Sequence, residues 1–192
     1  MQLVKQGRIG KETLKIYIDE SAESPREWDN LGKMVCFHRR YSMPQEGERK
    51  FENPEDFDEW LNEIKHKVVI LPIFMLEHGQ IALRTHDFRD MGYYGRFDSG
   101  QLGYIYATLA DIRKEYSVKR VTRKLKEKVE RVLRAEVDVF SQYLNGEVYG
   151  YRLIESGKEK DSCWSFYGYD MEKNGILDAV GKKWKDKLEN VT

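Results

Sequence analysis

From Val121 to Leu144 the apolar residues Val121, Leu125, Val129, Leu133, Val137, Phe140 and Leu144 recur every three or four positions. That period places all seven on one face of a single long helix, which must be buried against another layer. Asn145-Gly146 ends the pattern, as a left-handed cap would. A second helix is expected from Pro54 to about His66. Asn53 can cap it, Pro54 suits the first helical position, and Phe57, Trp60, Leu61 and Ile64 share a face.

Strand-like runs fill much of the rest. Leu14–Asp19, Lys33–Arg39, Val68–Leu76, Ile81–Thr85, Leu102–Thr108, Glu147–Ile154 and Ser162–Tyr169 are β-branched, aromatic or alternating. His78-Gly79 between two apolar runs is a hairpin signal, and Ser156–Lys160 reads as a second polar turn. His86–Asp98 reads as an irregular loop, Asp111–Tyr116 as a helical turn, and Leu177, Val180, Trp184 and Leu188 as a last helix weakened by Gly175 and Gly181. Hairpins imply antiparallel pairing. The expected class is α+β: one domain over residues 1–192, with a mainly antiparallel sheet of six or seven strands, one long amphipathic helix and two or three shorter ones.

Composition narrows the function classes. The 192 residues hold 33 basic and 33 acidic side chains, so no global charge draws in a polyanion and a nucleic-acid partner is not expected. No apolar run approaches a membrane span and the N-terminus has no signal-peptide pattern. Two cysteines make no disulfide framework, which fits a reducing cytoplasm. The sequence shows no repeat or linker.

Charge is nonetheless uneven. Between Asp111 and Arg134 ten basic residues face four acidic ones, and Arg120, Arg123, Lys124, Lys128 and Arg131 form a candidate basic face. A solvated helix face with Glu127–Arg131 and Glu130–Arg134 pairs is the simpler account of the run, as is neutralisation by the acidic stretch Glu46–Glu63.

The most distinctive string is Arg96–Tyr106, RFDSGQLGYIY. Asp98, Ser99 and Gln101 combine a charge, a hydroxyl and an amide beside glycines whose amides can cradle an anion. No GK[ST] follows, so it is not a P-loop; a tight turn with local hydrogen bonds accounts for it too. Tyr104 and Tyr106 share one strand face, Tyr149 and Tyr151 another, and Trp164 stands on a third strand. Such a face stacks bases, meets a partner protein, or lines the core beneath the long helix. With His78 these residues make the candidate ligand- or partner-binding set. Ser162-Cys163 could supply a nucleophile with His38 or His78 as base, but no nucleophile motif surrounds it and no catalytic residue is assigned. No CxxC, HExxH, DxD or EF-hand spacing occurs, so neither metal nor cofactor is expected.

Arg26–Tyr41, Leu71–Leu83, Phe97–Tyr106, Tyr143–Leu153 and Asp161–Gly168 together resemble a family of small proteins of bacteriophages and mobile elements, whose members often read DSGQVGYIY and DSCWGFYG at two of these motifs. The resemblance runs from about Arg26 to Asp170 and carries over no catalytic residue. Gly95-Arg96-Phe97 precedes Asp98 here, in place of the family's WD-type approach. It implies a non-catalytic accessory protein in the cytoplasm of a bacterial host. Such a protein would bind a host factor, most concretely to inhibit a host defence protein. A small-ligand binder that sequesters a nucleotide through Asp98–Gln101 and the tyrosines is the alternative, and a Cys- or Ser-dependent hydrolase a third.

Overall fold

The structure is a computed structural model in which residues 1–191 are described. In chain order the elements are β1 (Leu3–Ile9), β2 (Glu12–Ile18), β3 (Lys33–Cys36), α1 (Pro54–Ile64), β4 (Val68–Glu77), β5 (Ile81–Arg84), α2 (Gly92–Phe97), β6 (Ser99–Thr108), α3 (Leu109–Glu115), α4 (Arg123–Leu144), β7 (Val148–Glu155), β8 (Lys158–Tyr167), α5 (Ile176–Val180) and β9 (Glu189–Asn190). The class is α+β and every strand pair is antiparallel. The strands form two sheets rather than one, ordered β8-β7-β2-β1-β9 and β3-β6-β4-β5. Contacts divide the chain into two compact units: Met1–Ser24 with the chain from Gln142 onward, and Pro25–Ser141.

The first unit holds the five-stranded sheet. Leu14 and Ile16 of β2 and Tyr149, Tyr151 and Leu153 of β7 point to one face, where Met171, Ile176, Leu177 and Trp184 complete a closed core. The last helix expected from Leu177, Val180, Trp184 and Leu188 is broken: α5 ends at Gly181, whose φ of 95° no ordinary side chain adopts readily, and a 3₁₀ turn over Lys182–Lys187 carries Trp184 into the core. The β7–β8 turn is tighter than expected. Ser156 (φ 50°) and Gly157 (φ 83°) are its two residues, both left-handed, as a type I′ hairpin requires.

The second unit holds the four-stranded sheet with a helix on each face. β6 is its central feature, and its side chains alternate. Ile105 points toward α4: a Cβ added to Gly32 would meet both Ile105 Cδ1 and Leu133 Cδ2 at 2.7 and 2.6 Å. Tyr104 and Tyr106 point to the other face and pack on α1. The Phe57 ring stacks on Tyr104 at 5.1 Å, and the Trp60 ring meets Tyr106 edge-on at 5.2 Å. Phe51, Val35 and Val68 close that core. Asn53 caps α1 as the sequence indicates, accepting from the Asp56 amide at 2.9 Å.

On α4, Val129, Leu133, Val137 and Phe140 are buried and Leu125 is half-buried, while Lys124, Lys128 and Arg131 are exposed. The stripe from Leu125 to Phe140 is therefore in the expected register, whereas Val121 lies ahead of the helix, which begins at Arg123. Within this unit α4 is tied to the sheet side by Ser141, whose hydroxyl accepts from the Leu83 amide at 2.9 Å, and by Arg134, which donates to the Thr85 hydroxyl at 2.7 Å. Arg26 binds its N-terminal chain to the same helix. The guanidinium is almost fully enclosed and contacts Glu46 at 2.6 Å and Glu136 at 3.0 Å, while Glu136 also accepts from the Gly32 amide.

Candidate functional site

The DSG motif lies where β4, β5 and β6 meet, and β6 begins at Ser99, three residues earlier than expected. Glu77 donates its amide to the Asp98 carbonyl, so the ladder is already closed at the motif. Asp98 holds His78 through Oδ2 and Nδ1 at 3.0 Å, bridging the β4–β5 turn to the start of β6. The Ser99 hydroxyl donates to the carbonyl of Gly95. Gln101 is exposed. Asp98 and Ser99 thus use their polar atoms to fix local backbone and a neighbouring turn, the arrangement of a structural joint.

The tyrosines do not join this motif. Tyr104 and Tyr106 are committed to the α1 core. The sheet face they line is covered by α1, not by the long helix, because β6 alternation gives the long helix Ile105 instead. Tyr149 and Tyr151 belong to the core of the first unit. Tyr151 donates to Asp161 at 2.7 Å, and burial together with this bond raises its phenol above the usual tyrosine range. Trp164 lies on the opposite face of the same sheet over Gly150, where a Cβ would stand 2.0 Å from its ring. Arg152 reaches both the Tyr17 and Trp164 rings at 5.7 and 5.8 Å.

No nucleophile–base pair is assembled by the described residues named in the sequence reading. Ser99 donates to a carbonyl rather than to His78. Cys163 is exposed with its sulfur 3.8 Å from the Trp164 carbonyl. His38 accepts at Nδ1 from the amides of Arg40 and Tyr41. Cys36 is buried, and burial, with Glu46 nearby, pushes its thiol up to about 12, which keeps it protonated and inert. Among the described residues no group of three or more His, Cys, Asp or Glu is placed to hold a metal ion. No described helix is long and apolar enough to cross a membrane.

What the motif does frame is the segment before it. An open groove of ≈ 590 Å³ is lined by Phe74, Arg89, Gly95, Arg96, Ser99 and Gln101, among others. Beside it, Met91, Tyr93 and Phe97 are 53%, 71% and 70% exposed. The Tyr93 and Phe97 rings lie 4.7 Å apart, one helical turn from each other. Two glycines enforce this display. Gly92 adopts φ 70° with ψ −135°, a region closed to residues with a Cβ, and turns the chain from a 3₁₀ turn (Arg89–Met91) into α2. Gly95 lies against the Phe88 backbone. Phe88 is buried and sits under the Arg84 guanidinium at 3.9 Å, anchoring the segment from below. Arg84 in turn binds Asp90 and the Asp87 carbonyl.

His86–Asp98, irregular by its sequence, is ordered in the structure as a 3₁₀ turn and α2 that present Tyr93 and Phe97. The signal was present in the two glycines beside Tyr93 and ahead of Phe97, but a glycine's close approach to a carbonyl is a tertiary fact. A groove of ≈ 260 Å³ on the other side of Gln101, lined by Phe37, Pro54 and Tyr104, extends the same surface toward α1.

Comparison of the chain with protein-family models, curated proteins and solved structures finds no match.

Proposed function

We propose that the chain is a non-catalytic binding protein that engages a partner protein through Met91, Tyr93 and Phe97 and the groove beside them. The observation that carries this reading is the exposure of two aromatic rings in tilted contact on a segment shaped by Gly92 and Gly95. Clustered exposed apolar side chains mark sites where a partner docks, and Tyr, Phe, Met and Arg are among the residues enriched there. Arg96, exposed and next to Phe97, supplies the polar rim.

The partner is a host protein, in keeping with the resemblance to bacteriophage and mobile-element proteins, and inhibition of a host defence factor in the bacterial cytoplasm is the most concrete form. The nucleotide reading has less support, since Tyr106, Tyr149 and Tyr151 are buried in cores, Tyr104 stacks on Phe57, and the open groove that Ser99 lines carries none of them.

The test is capture from bacterial lysate with wild type and with the double variant Tyr93→Ser, Phe97→Ser in parallel. The expected result is a host protein retained by the wild type and lost with the variant, whose melting temperature is unchanged. Retention of the same protein by the folded variant would place the interface elsewhere.

A further inference from the structure

We propose that the α3–α4 turn and the first three turns of α4 form a second surface, which binds the phosphate backbone of double-stranded nucleic acid without reading its sequence. The zero net charge of the chain conceals a segregation of charge within the second unit. Its sheet carries α1 on one face, in a stretch where Glu46–Glu63 holds eight carboxylates against Arg49 and Lys50, and α4 on the other. The acidic helix therefore lies across the sheet from the basic one and does not neutralise it.

Nor does α4 neutralise itself. The expected Glu127–Arg131 and Glu130–Arg134 pairs are not formed. Glu127 binds Arg123 at 3.1 Å, and Arg134 turns to Thr85. Among the described residues Arg113, Lys114, Lys119, Arg120, Lys124 and Arg131 form no ion pair, and all six are exposed. Lys124, Lys128 and Arg131 fall within about 60° of arc at 100° per residue, opposite the buried stripe. They span about 10 Å along the helix at 1.5 Å per residue.

A second observation points the same way. Thr122 caps α4, its hydroxyl accepting from the Leu125 amide at 3.3 Å and its carbonyl from the Lys126 amide at 3.0 Å. The first turn that follows holds Arg123, Lys124 and Lys126 and no acid, with Lys119 and Arg120 just ahead of it. Cations at the positive end of a 22-residue helix oppose its dipole. Local stability favours carboxylates there. A run of cations is instead what an anion at the helix N-terminus calls for, because the free amides and the side chains then act together.

The chemistry of the surface selects the polyanion. A protein partner would need an apolar centre, and this face exposes none: Val121 and Val118 are half-buried, and the Tyr116 ring is covered by the Lys128 ammonium at 4.5 Å. The same cover removes the stacking platform that single-stranded nucleic acid uses. What remains is a row of long flexible cations, suited to phosphates on a regular duplex. The turn that holds Lys119 and Arg120 in place is well defined, with Ser117 left-handed at φ 51° and the Val118 amide bound to the Arg113 carbonyl at 3.1 Å.

The test is fluorescence anisotropy with a labelled DNA duplex of arbitrary sequence, titrated with full-length protein over a series of salt concentrations. Wild type is expected to bind at low salt, with log K falling linearly against log salt by about 0.9 per phosphate neutralised. The variant Lys124→Gln, Lys128→Gln, Arg131→Gln, checked for an unchanged melting temperature, is expected to lose about tenfold or more in affinity at low salt and to show a slope shallower by up to about 3. Tyr93→Ser, Phe97→Ser is expected to bind the duplex as wild type does, which separates this surface from the aromatic one. Absence of duplex binding at low salt, or an unaltered slope in the triple variant, would overturn the proposal. Equal binding to polyglutamate would overturn it in favour of an acidic protein, and tighter binding to a single strand would overturn the assignment to duplex.

Discussion

Gly95 packs so closely on Phe88 that a Cβ at position 95 would stand 1.7 Å from the Phe88 carbonyl oxygen. The obstacle is backbone, which cannot swing aside as a side chain would. The pair therefore sets the path of the chain through α2 and, with it, the outward direction of Tyr93 and Phe97.

Gly95→Ala is accordingly expected to disturb this segment more than a surface substitution should. Overlap with a carbonyl forces the two chain segments apart, uncovering Phe88 and loosening the Ser99–Gly95 bond. A loss of about 1–3 kcal/mol is expected by urea denaturation, with binding of the host partner reduced in step. Gly100→Ala is the control, since a Cβ there meets nothing within 4 Å. Equal effects of the two substitutions would mean that the Gly95–Phe88 contact does not shape the segment.

Arg26 is the counter-ion of two partly enclosed carboxylates, and Arg26→Met is expected to cost up to about 3 kcal/mol at neutral pH because Glu46 and Glu136 would keep only their amide bonds from Met34 and Gly32 and lose their counter-charge. Burial raises the Glu136 carboxyl above its ordinary value of 4.5, outweighing the Gly32 amide and Arg26, which lower it. The folded state thus binds this proton more tightly than the unfolded state does. The contribution of Glu136 to stability falls as pH rises through its folded value, and removing Arg26 deepens that fall. The variant's deficit should therefore be smaller near pH 4.5 than at neutral pH. Denaturation curves of both proteins at the two pH values check this, and a deficit independent of pH would contradict it.

The two thiols are expected to differ sharply in the native protein. Cys163 is exposed, whereas Cys36 is 3% exposed with its thiol pushed up to about 12. Titration with a thiol-specific chromophore should report one reactive group per chain under native conditions and two in denaturant. Fast modification of two groups in the folded protein would show that β3 opens readily.

Tyr151 is a buried phenol bonded to Asp161, and both burial and that carboxylate raise its pKa above the ordinary 10.0. Its neutral form is the one the fold favours. Its contribution is complete below that ordinary value and is lost as pH rises through the higher folded value. Tyr151→Phe is expected to cost about 0.5–1.5 kcal/mol at neutral pH, from the lost hydrogen bond. The difference between the two proteins should shrink in strong alkali, and denaturation curves followed by circular dichroism would show a constant difference if Tyr151 ionised normally.

The helices were largely legible in the amino-acid order. The α4 stripe from Leu125 to Phe140 and the Asn53-Pro54 start of α1 are local facts, since a 3.6-residue period and a capping side chain act over a turn or two of helix. Hairpin pairing was legible for the same reason, and with it the α+β class. Strand β1 was not, because LVKQGRI alternates poorly. Gly7, its fifth residue, faces the Lys187 carbonyl, where a Cβ would stand 2.3 Å away, and that contact spans most of the chain. The last helix was misjudged at Gly181 for a related reason: helical spacing of Leu177, Val180, Trp184 and Leu188 survives a break when a 3₁₀ turn returns Trp184 to the core. The candidate site divides along the same line. The polarity of Asp98, Ser99 and Gln101 and the cationic run of α4 are written in the sequence. Which tyrosines reach the surface, and whether an acidic helix covers a basic one, depend on which face of β6 each layer occupies. Residues distant in the chain decide that by packing: Ile105 goes to α4, Tyr104 and Tyr106 go to α1, and Tyr93 and Phe97 are left to the solvent because Gly95 yields its side-chain space to Phe88.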